Sequence, residues 1–239
     1  RCEYNPFWSG LWAQIDAFVH QTDPKLAACV DDDGRMPIHW AVSANKIDIV
    51  VLLTQLRGFD PDVQDGSGWS PVMIAGSLPD GDAVMDVLLS RGADINLKIT
   101  DLRMTDLNGQ NVLHFIASKN NLDLAKRLLA LKTPLSARVR DKRGQYAIHR
   151  ASAIGSVPMV NLLLKHKSPL DATDNSGYTA LHHAIAEGHG DTAVALLKAG
   201  ADVSKRDMEG NLALDLAPDN EVRYYIERFA EAEGIELLK

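Results

Sequence analysis

The chain is 239 residues long and 46% hydrophobic, enough for a continuous core. It carries 32 Asp and Glu against 25 Lys and Arg, a formal charge of −7, whereas a nucleic-acid binder needs a basic footprint. No apolar run approaches the roughly 18 residues of a membrane helix; Cys2 and Cys29 stand at an uninformative spacing and no Asn-x-Ser/Thr acceptor occurs, so neither nucleic acid nor membrane is an expected partner, and a reducing, cytoplasmic or nuclear setting is expected.

In chain order, Arg1-Cys2-Glu3-Tyr4 shows no signal-peptide pattern and no initiator Met, which predicts a trimmed or tagged start. Trp8, Leu11, Trp12, Ile15, Phe18 and Val19 then recur at helical spacing, predicting an amphipathic helix over about 8–20. From there the chain repeats itself. Glycines at 34, 68, 109, 144, 177 and 210 each open a similar segment, such as Gly34-Arg-Met-Pro-Ile-His-Trp-Ala and Gly177-Tyr-Thr-Ala-Leu-His-His-Ala. The intervals, by subtraction of residue numbers, are 34, 41, 35, 33 and 33.

Within each repeat a first helix is predicted at the Pro/Ala-Leu-His segment. A second carries paired leucines, Leu52-Leu53, Leu88-Leu89, Leu128-Leu129, Leu163-Leu164 and Leu196-Leu197, which are expected in the core. Turns such as Arg91-Gly92-Ala93-Asp94 and Ala199-Gly200-Ala201-Asp202 follow, where glycine supplies a left-handed helix end, and an extended polar finger comes next. The 41-residue interval is irregular, with an extra residue near Leu78-Pro79-Asp80-Gly81 and a lengthened finger at 98–106 that is either a binding element or a neutral extension. After Pro218-Asp219 a last helix places Val222, Ile226 and Phe229 on one face, with Arg223, Glu227, Arg228 and Glu231 on the wet side.

These segments resemble the Thr-Pro-Leu-His-x-Ala signature and the period of about 33 of ankyrin repeats. That resemblance implies an all-α solenoid of about seven helix-turn-helix repeats with β-hairpin-like fingers. It would form one domain over 1–239, with a divergent capping repeat at 1–33, repeats at 34–217 and a capping helix at 218–239. Such a stack displays a surface and works by binding.

Candidate chemistry fits that reading. His39, His114, His149 and His182 share one repeat position, so stacking spreads them in a ladder rather than around one metal, and each is expected to tie adjacent fingers by hydrogen bonds. His182-His183 to Glu187 and His189 lack His-Glu-x-x-His spacing, and no Gly-x-Ser-x-Gly elbow, phosphate-binding loop or Cys-x-x-Cys pair occurs. No metal, cofactor or enzymatic activity is expected.

The finger tips and first-helix starts, which line the concave side of such a stack, carry patterned charge. Asp31, Asp32 and Asp33 stand with Arg35, and Asp60, Asp62 and Asp65 continue the acidity; Arg138, Arg140, Lys142 and Arg143 then outnumber Asp141, with Arg150 nearby, before Asp171 and Asp174. An acidic, basic, acidic order suits a protein with the complementary order, although any single residue could equally be an ordinary solvated loop charge. Trp40, Trp69 and Tyr178 are placed as partner contacts, while Phe115 is expected in the core.

The ordered series Pro37-Ile-His-Trp-Ala-Val-Ser-Ala, Gly68-Trp-Ser-Pro, His114-Phe-Ile-Ala-Ser-Lys-Asn and Ile148-His-Arg-Ala-Ser-Ala is similar to consecutive repeats of the gankyrin family of proteasome regulatory-particle chaperones and their fungal counterparts. The likeness runs over nearly the whole chain, and the stretch from Val222 to Ile235 is closer to the fungal type. It implies a monomeric, non-catalytic chaperone whose concave face clasps the C-terminal domain of one ATPase subunit of the proteasome base. The family's basic contacts match Arg35 and Lys119, its acidic ones Asp33, Asp65 and Glu187, and its tryptophans Trp40 and Trp69. Where the animal proteins have a Leu-x-Cys-x-Glu motif for retinoblastoma-type partners, this chain reads His183-Ala-Ile-Ala-Glu187, so that partner is not expected. An ankyrin adaptor for a kinase or transcription factor, or a scaffold without a fixed partner, is the alternative reading.

Overall fold

The computed structural model describes residues 26–98 and 109–237. The helix expected at 8–20 and nearly all of the finger expected at 98–106 lie outside the described residues. The chain divides into two compact units, Arg1–Val112 and Leu113–Lys239.

In the first unit a 3-10 turn at Leu26–Ala28 precedes two helix pairs, α1 (Pro37–Ser43) with α2 (Ile47–Thr54), and α3 (Pro71–Ser77) with α4 (Asp82–Ser90). Proline opens both α1 and α3, where its missing N–H costs no helical hydrogen bond and its fixed φ suits the first turn. The Ser70 hydroxyl caps α3 by accepting the Met73 N–H at 3.4 Å. α1 packs on both α2 and α3, and α4 on both α2 and α3, so each helix finds cover from its own pair and from the next. Val42, Val50, Val72, Met73, Val84, Met85 and Leu88 are buried there.

The second unit holds α5 (Val112–Ser118), all but its first residue, with α6 (Leu122–Leu129), α7 (Ala147–Ile154), α8 (Val157–Lys165), α9 (Ala180–Ala186), α10 (Gly190–Lys198) and α11 (Asn220–Glu233). The first helix expected at Ala213 is only a 3-10 turn, Ala213–Leu216. Asn121 and Ser156 cap α6 and α8 by accepting backbone N–H groups of Leu124 and Met159. Among the described residues the fingers form no named strand, only an isolated bridge between Arg206 and Leu212. They are tight turns rather than hairpins.

The paired leucines divide. Leu53, Leu88, Leu128, Leu129, Leu163, Leu196 and Leu197 are buried, whereas Leu52, Leu89 and Leu164 are half-buried. On a helix of 3.6 residues per turn, adjacent side chains stand about 100° apart, so one member of a pair turns out of the core unless a neighbour covers both. The expected glycine ends are present, with Gly92 at φ 85° and Gly200 at φ 87°.

At His39, His114 and His149 the histidine ladder binds finger to helix as expected, whereas among the described residues His182 Nε2 has no hydrogen-bond partner. In His39 Nδ1 accepts the Met36 N–H at 3.0 Å, which leaves the proton on Nε2 to donate to the Val63 carbonyl in the following finger at 3.1 Å. His149 repeats this with the Tyr146 N–H at 3.0 Å and the Ala172 carbonyl at 3.0 Å, and His114 Nε2 meets the Gln145 carbonyl at 3.2 Å. Burial pushes the His149 imidazole down to about 4 and those of His39 and His182 in the same direction, so the rings act as neutral links.

α11 covers the end of the second unit by packing on α10. Its Ile226 and Ala230 are buried, with Ile226 facing a small void shared with Leu181, Ile185, Leu197 and Leu214. Val222 and Phe229 are only half-buried. Arg223 is partly wet, its side chain 38% exposed, and also bonded: its Nη2 donates to the Leu214 carbonyl at 2.9 Å and lies 3.6 Å from Asp215. Deleting residues 219–239 is expected to expose this apolar surface, lowering the melting temperature or causing aggregation. A soluble monomer with an unchanged melt would contradict the capping role.

Candidate protein-binding face

One aspartate organises each described finger. In Asp31, Asp65, Asp174 and Asp207, Oδ1 accepts the backbone N–H groups two and four residues on, at 2.8–3.0 Å. Asp141 Oδ1 accepts the Gln145 N–H at 2.7 Å. The same aspartates donate their own N–H to the carbonyl four residues on and accept from the glycine three residues on. That glycine holds a positive φ, 71° at Gly34 and 80° at Gly68, which a side-chain-bearing residue adopts at a cost. At Gly34 a Cβ would also come within 2.7 Å of the Gly66 nitrogen, because the fingers touch by backbone, Gly66 N–H to the Asp33 carbonyl at 2.8 Å.

The second carboxylate oxygen recruits the residues that carry the face. In the first unit Asp31 Oδ2 accepts the Trp40 indole N–H at 2.8 Å, and Asp65 Oδ2 accepts Arg35 Nε at 3.1 Å. The Arg35 guanidinium also lies 4.9 Å from the Trp40 ring centroid, so cation, indole and two carboxylates form one cluster. In the second unit Asp141 Oδ2 lies 3.4 Å from Arg150 Nη2, and Asp174 Oδ2 accepts His183 Nε2 at 3.0 Å and Gln145 Nε2 at 3.2 Å. Tyr178 stacks on His182 and meets His183 edge-on, both at 5.5 Å between centroids. Trp40, Arg150 and His183 thus hold one repeat position, nine residues after their aspartate.

Burial works against ionisation of Asp174. The hydrogen bonds from His183, Gln145, Tyr178 and Ser176 outweigh it and hold this carboxyl well below the ordinary carboxylate range.

The nine residues expected at the face fall into three groups. Asp65 has a side chain only 1% exposed, so its carboxylate serves the fold and has little surface to offer a partner. Arg35 and Arg150 are 31% and 26% exposed and already paired; Trp40, Trp69 and Tyr178 are half-buried around the same turns. Asp33, Lys119 and Glu187 are exposed, and none of their charged ends has a hydrogen bond or ion pair among the described residues. Phe115, expected in the core, is half-buried. The structure brings Arg35, Trp40 and Asp65 together, and Tyr178 beside His183, but shows no contact of Lys119 or Glu187 side chains with the others.

In sequence Asp31, Asp65, Asp141 and Asp174 read only as face charges and Asp207 goes unnamed, although the signal for a turn role is present: an aspartate stands three residues before every repeat glycine, at 31, 65, 106, 141, 174 and 207. Among the described residues no group of histidine, cysteine and carboxylate side chains could hold a metal ion. No helix there is long and apolar enough to cross a membrane.

Paired short helices, aspartate-glycine fingers and a histidine ladder define a repeat protein. The family model for ankyrin repeats (3 copies) matches residues 14–99 and 113–207, and the chain belongs to the ankyrin-repeat family. More particularly, it is 33% identical over 228 residues, 94% of each chain, to the probable 26S proteasome regulatory subunit p28 of Saccharomyces cerevisiae. It is 39% identical over 215 residues to the ankyrin repeat-containing protein C6C3.08 of Schizosaccharomyces pombe, covering 89% of this chain and 87% of that one. The similarity to p28 bears out the gankyrin-type resemblance. A B-cell lymphoma 3 protein homolog of Mus musculus is 30% identical over 82% of this chain but only 43% of its own length.

Proposed function

We propose that this chain is a non-catalytic binding protein of the proteasome regulatory particle, and that its fingers and first helices hold the C-terminal domain of one base ATPase subunit during assembly. The observation that carries the reading is the similarity to p28 along 94% of both chains. The exposed, uncommitted charges of Asp33, Lys119 and Glu187 support it, since both signs are on offer and a protein surface with both signs can answer them. The aromatic clusters around Trp40 and Tyr178 supply half-buried anchors. Occupying the ATPase domain would block premature docking onto the proteolytic core, with release when a better-fitting surface competes. The expected compartments are cytoplasm and nucleus, and the expected free state is a monomer. An adaptor for a kinase or transcription factor is less supported, because a relative matched along nearly its whole length is a proteasome regulatory subunit by name.

Affinity purification of the chain from native cytosol tests this. Base ATPase subunits are expected to co-elute at stoichiometric level; kinases or transcription factors in their place would overturn the reading.

A further inference from the structure

The finger at residues 138–143 differs from the others in what its charges do. Asp141 is spent on the turn and on Arg150, with a side chain 0% exposed, so it does not offset its neighbours at the surface. Arg138, Arg140, Lys142 and Arg143 are all exposed. Arg140 donates from Nε to the Gly144 carbonyl at 3.2 Å and from Nη2 to Asn175 Oδ1 at 3.3 Å; Arg138 donates from Nη1 to the Lys167 carbonyl at 3.2 Å. Every one of these acceptors is neutral. Among the described residues no carboxylate lies within ion-pair distance of Arg138, Arg140 or Lys142. The backbone beneath them is pinned as well, the Lys142 carbonyl by Asn175 Nδ2 at 2.6 Å and the Arg143 carbonyl by the Asn175 N–H at 2.8 Å.

We propose that this finger is a docking point for a short acidic peptide segment of a protein partner. The guanidinium groups of Arg138 and Arg140 are oriented by carbonyl and amide oxygens and keep donors and full charge for an incoming carboxylate, so little side-chain entropy is lost when it arrives. The acidic chain as a whole selects the length of the ligand. An extended polyanion meets the repulsion of the net −7 charge, whereas a segment of a few residues feels mainly the local cations, because charges beyond about 8 Å are screened at physiological salt. The proposal rests on the protein-binding reading above but not on which partner is bound.

A labelled peptide of six glutamates flanked by Gly-Ser, its glutamine counterpart and a single-stranded RNA of equal charge serve as probes, with anisotropy for affinity and amide shifts for location. The glutamate peptide is expected to bind with shifts at 138–144 and Asn175, weakening as salt rises, and the glutamine peptide at least tenfold more weakly. Arg138→Gln with Arg140→Gln should reduce binding at least tenfold. Lys142→Glu, whose side chain makes no bond among the described residues, should reduce it at least threefold with an unchanged melt. Equal binding of the glutamine peptide, shifts confined to other fingers, or RNA binding as tightly as the peptide would overturn the proposal. No ATPase domain enters this assay, so its failure leaves the co-purification result standing, and the reverse.

Discussion

Asp65→Ala is expected to lower the unfolding free energy by about 3 kcal/mol, the range for removing one partner of a buried, hydrogen-bonded charge pair. Two losses combine. Oδ1 accepts the Ser67 and Trp69 N–H groups at 2.9 Å each, and their removal leaves turn donors without the acceptor that orders them, beside Gly68 at φ 80°. Oδ2 holds Arg35 Nε at 3.1 Å, and Arg35 in turn lies against Trp40. Because Arg35 is 31% exposed, water regains part of what its guanidinium loses, so Arg35→Ala should cost less than Asp65→Ala. Arg35→Glu belongs with the destabilising changes, since it sets a second carboxylate beside a buried one. Denaturant titration at neutral pH measures all three, and an Asp65→Ala loss under about 1 kcal/mol would contradict the internal role.

Acid should unfold the chain through its histidine ladder before its carboxylates protonate. The His149 imidazole is pushed from an ordinary 6.5 to about 4, first by burial and then by the neighbouring His183, whose ring lies 5.6 Å away. The neutral form is the folded one, so as pH falls the unfolded chain takes the proton first. The stability contributed is whole above pH 6.5 and is lost as pH falls from there through about 4. With each pH unit of displacement equivalent to about 1.4 kcal/mol, His149 accounts for about 3 kcal/mol. His39 and His182, lowered in the same direction, add to it. Asp174 is depressed as well, so its contribution is lost only below its ordinary value of 3.8. Urea titrations at pH 7 and pH 4.5 should show this loss in the wild type and a smaller one in His149→Gln. Equal stability of the wild type at the two values would refute the mechanism.

The repeat was legible because its signals are local and recur: a glycine at positive φ, a proline or alanine opening a helix, a histidine at the third helical position. The ladder bonds of His39 and His149 followed because one residue type at one repeat position faces the carbonyl two residues before the next finger's aspartate, whereas His114 reaches the Gln145 carbonyl, four residues after its aspartate. Charge was less legible. Asp33 and Asp65 read alike in sequence, yet one is exposed and the other is buried by a partner thirty residues earlier, Arg35. A tally of acidic and basic residues along the fingers counts such carboxylates as surface when they are turn ligands. With Asp141 removed from that tally, the basic finger at 138–143 is more strongly positive than its sequence suggests. Leucine pairs were over-read for a similar reason, since adjacency says both are apolar while the helical angle turns Leu52, Leu89 and Leu164 partly out of the core and leaves both members buried only at 128–129 and 196–197.

The most direct measurement of the central claim is a calorimetric titration of the whole chain with the isolated C-terminal domain of each base ATPase subunit at about 0.15 M salt, where surface charge is screened beyond about 8 Å. One domain is expected to bind at one to one. Lys119→Glu, at an exposed side chain with no bond among the described residues, should weaken that complex at least tenfold, or roughly 1.4 kcal/mol, while the melting temperature stays unchanged. Binding to none of the domains, or a Lys119→Glu complex within about twofold of wild type, would contradict the account.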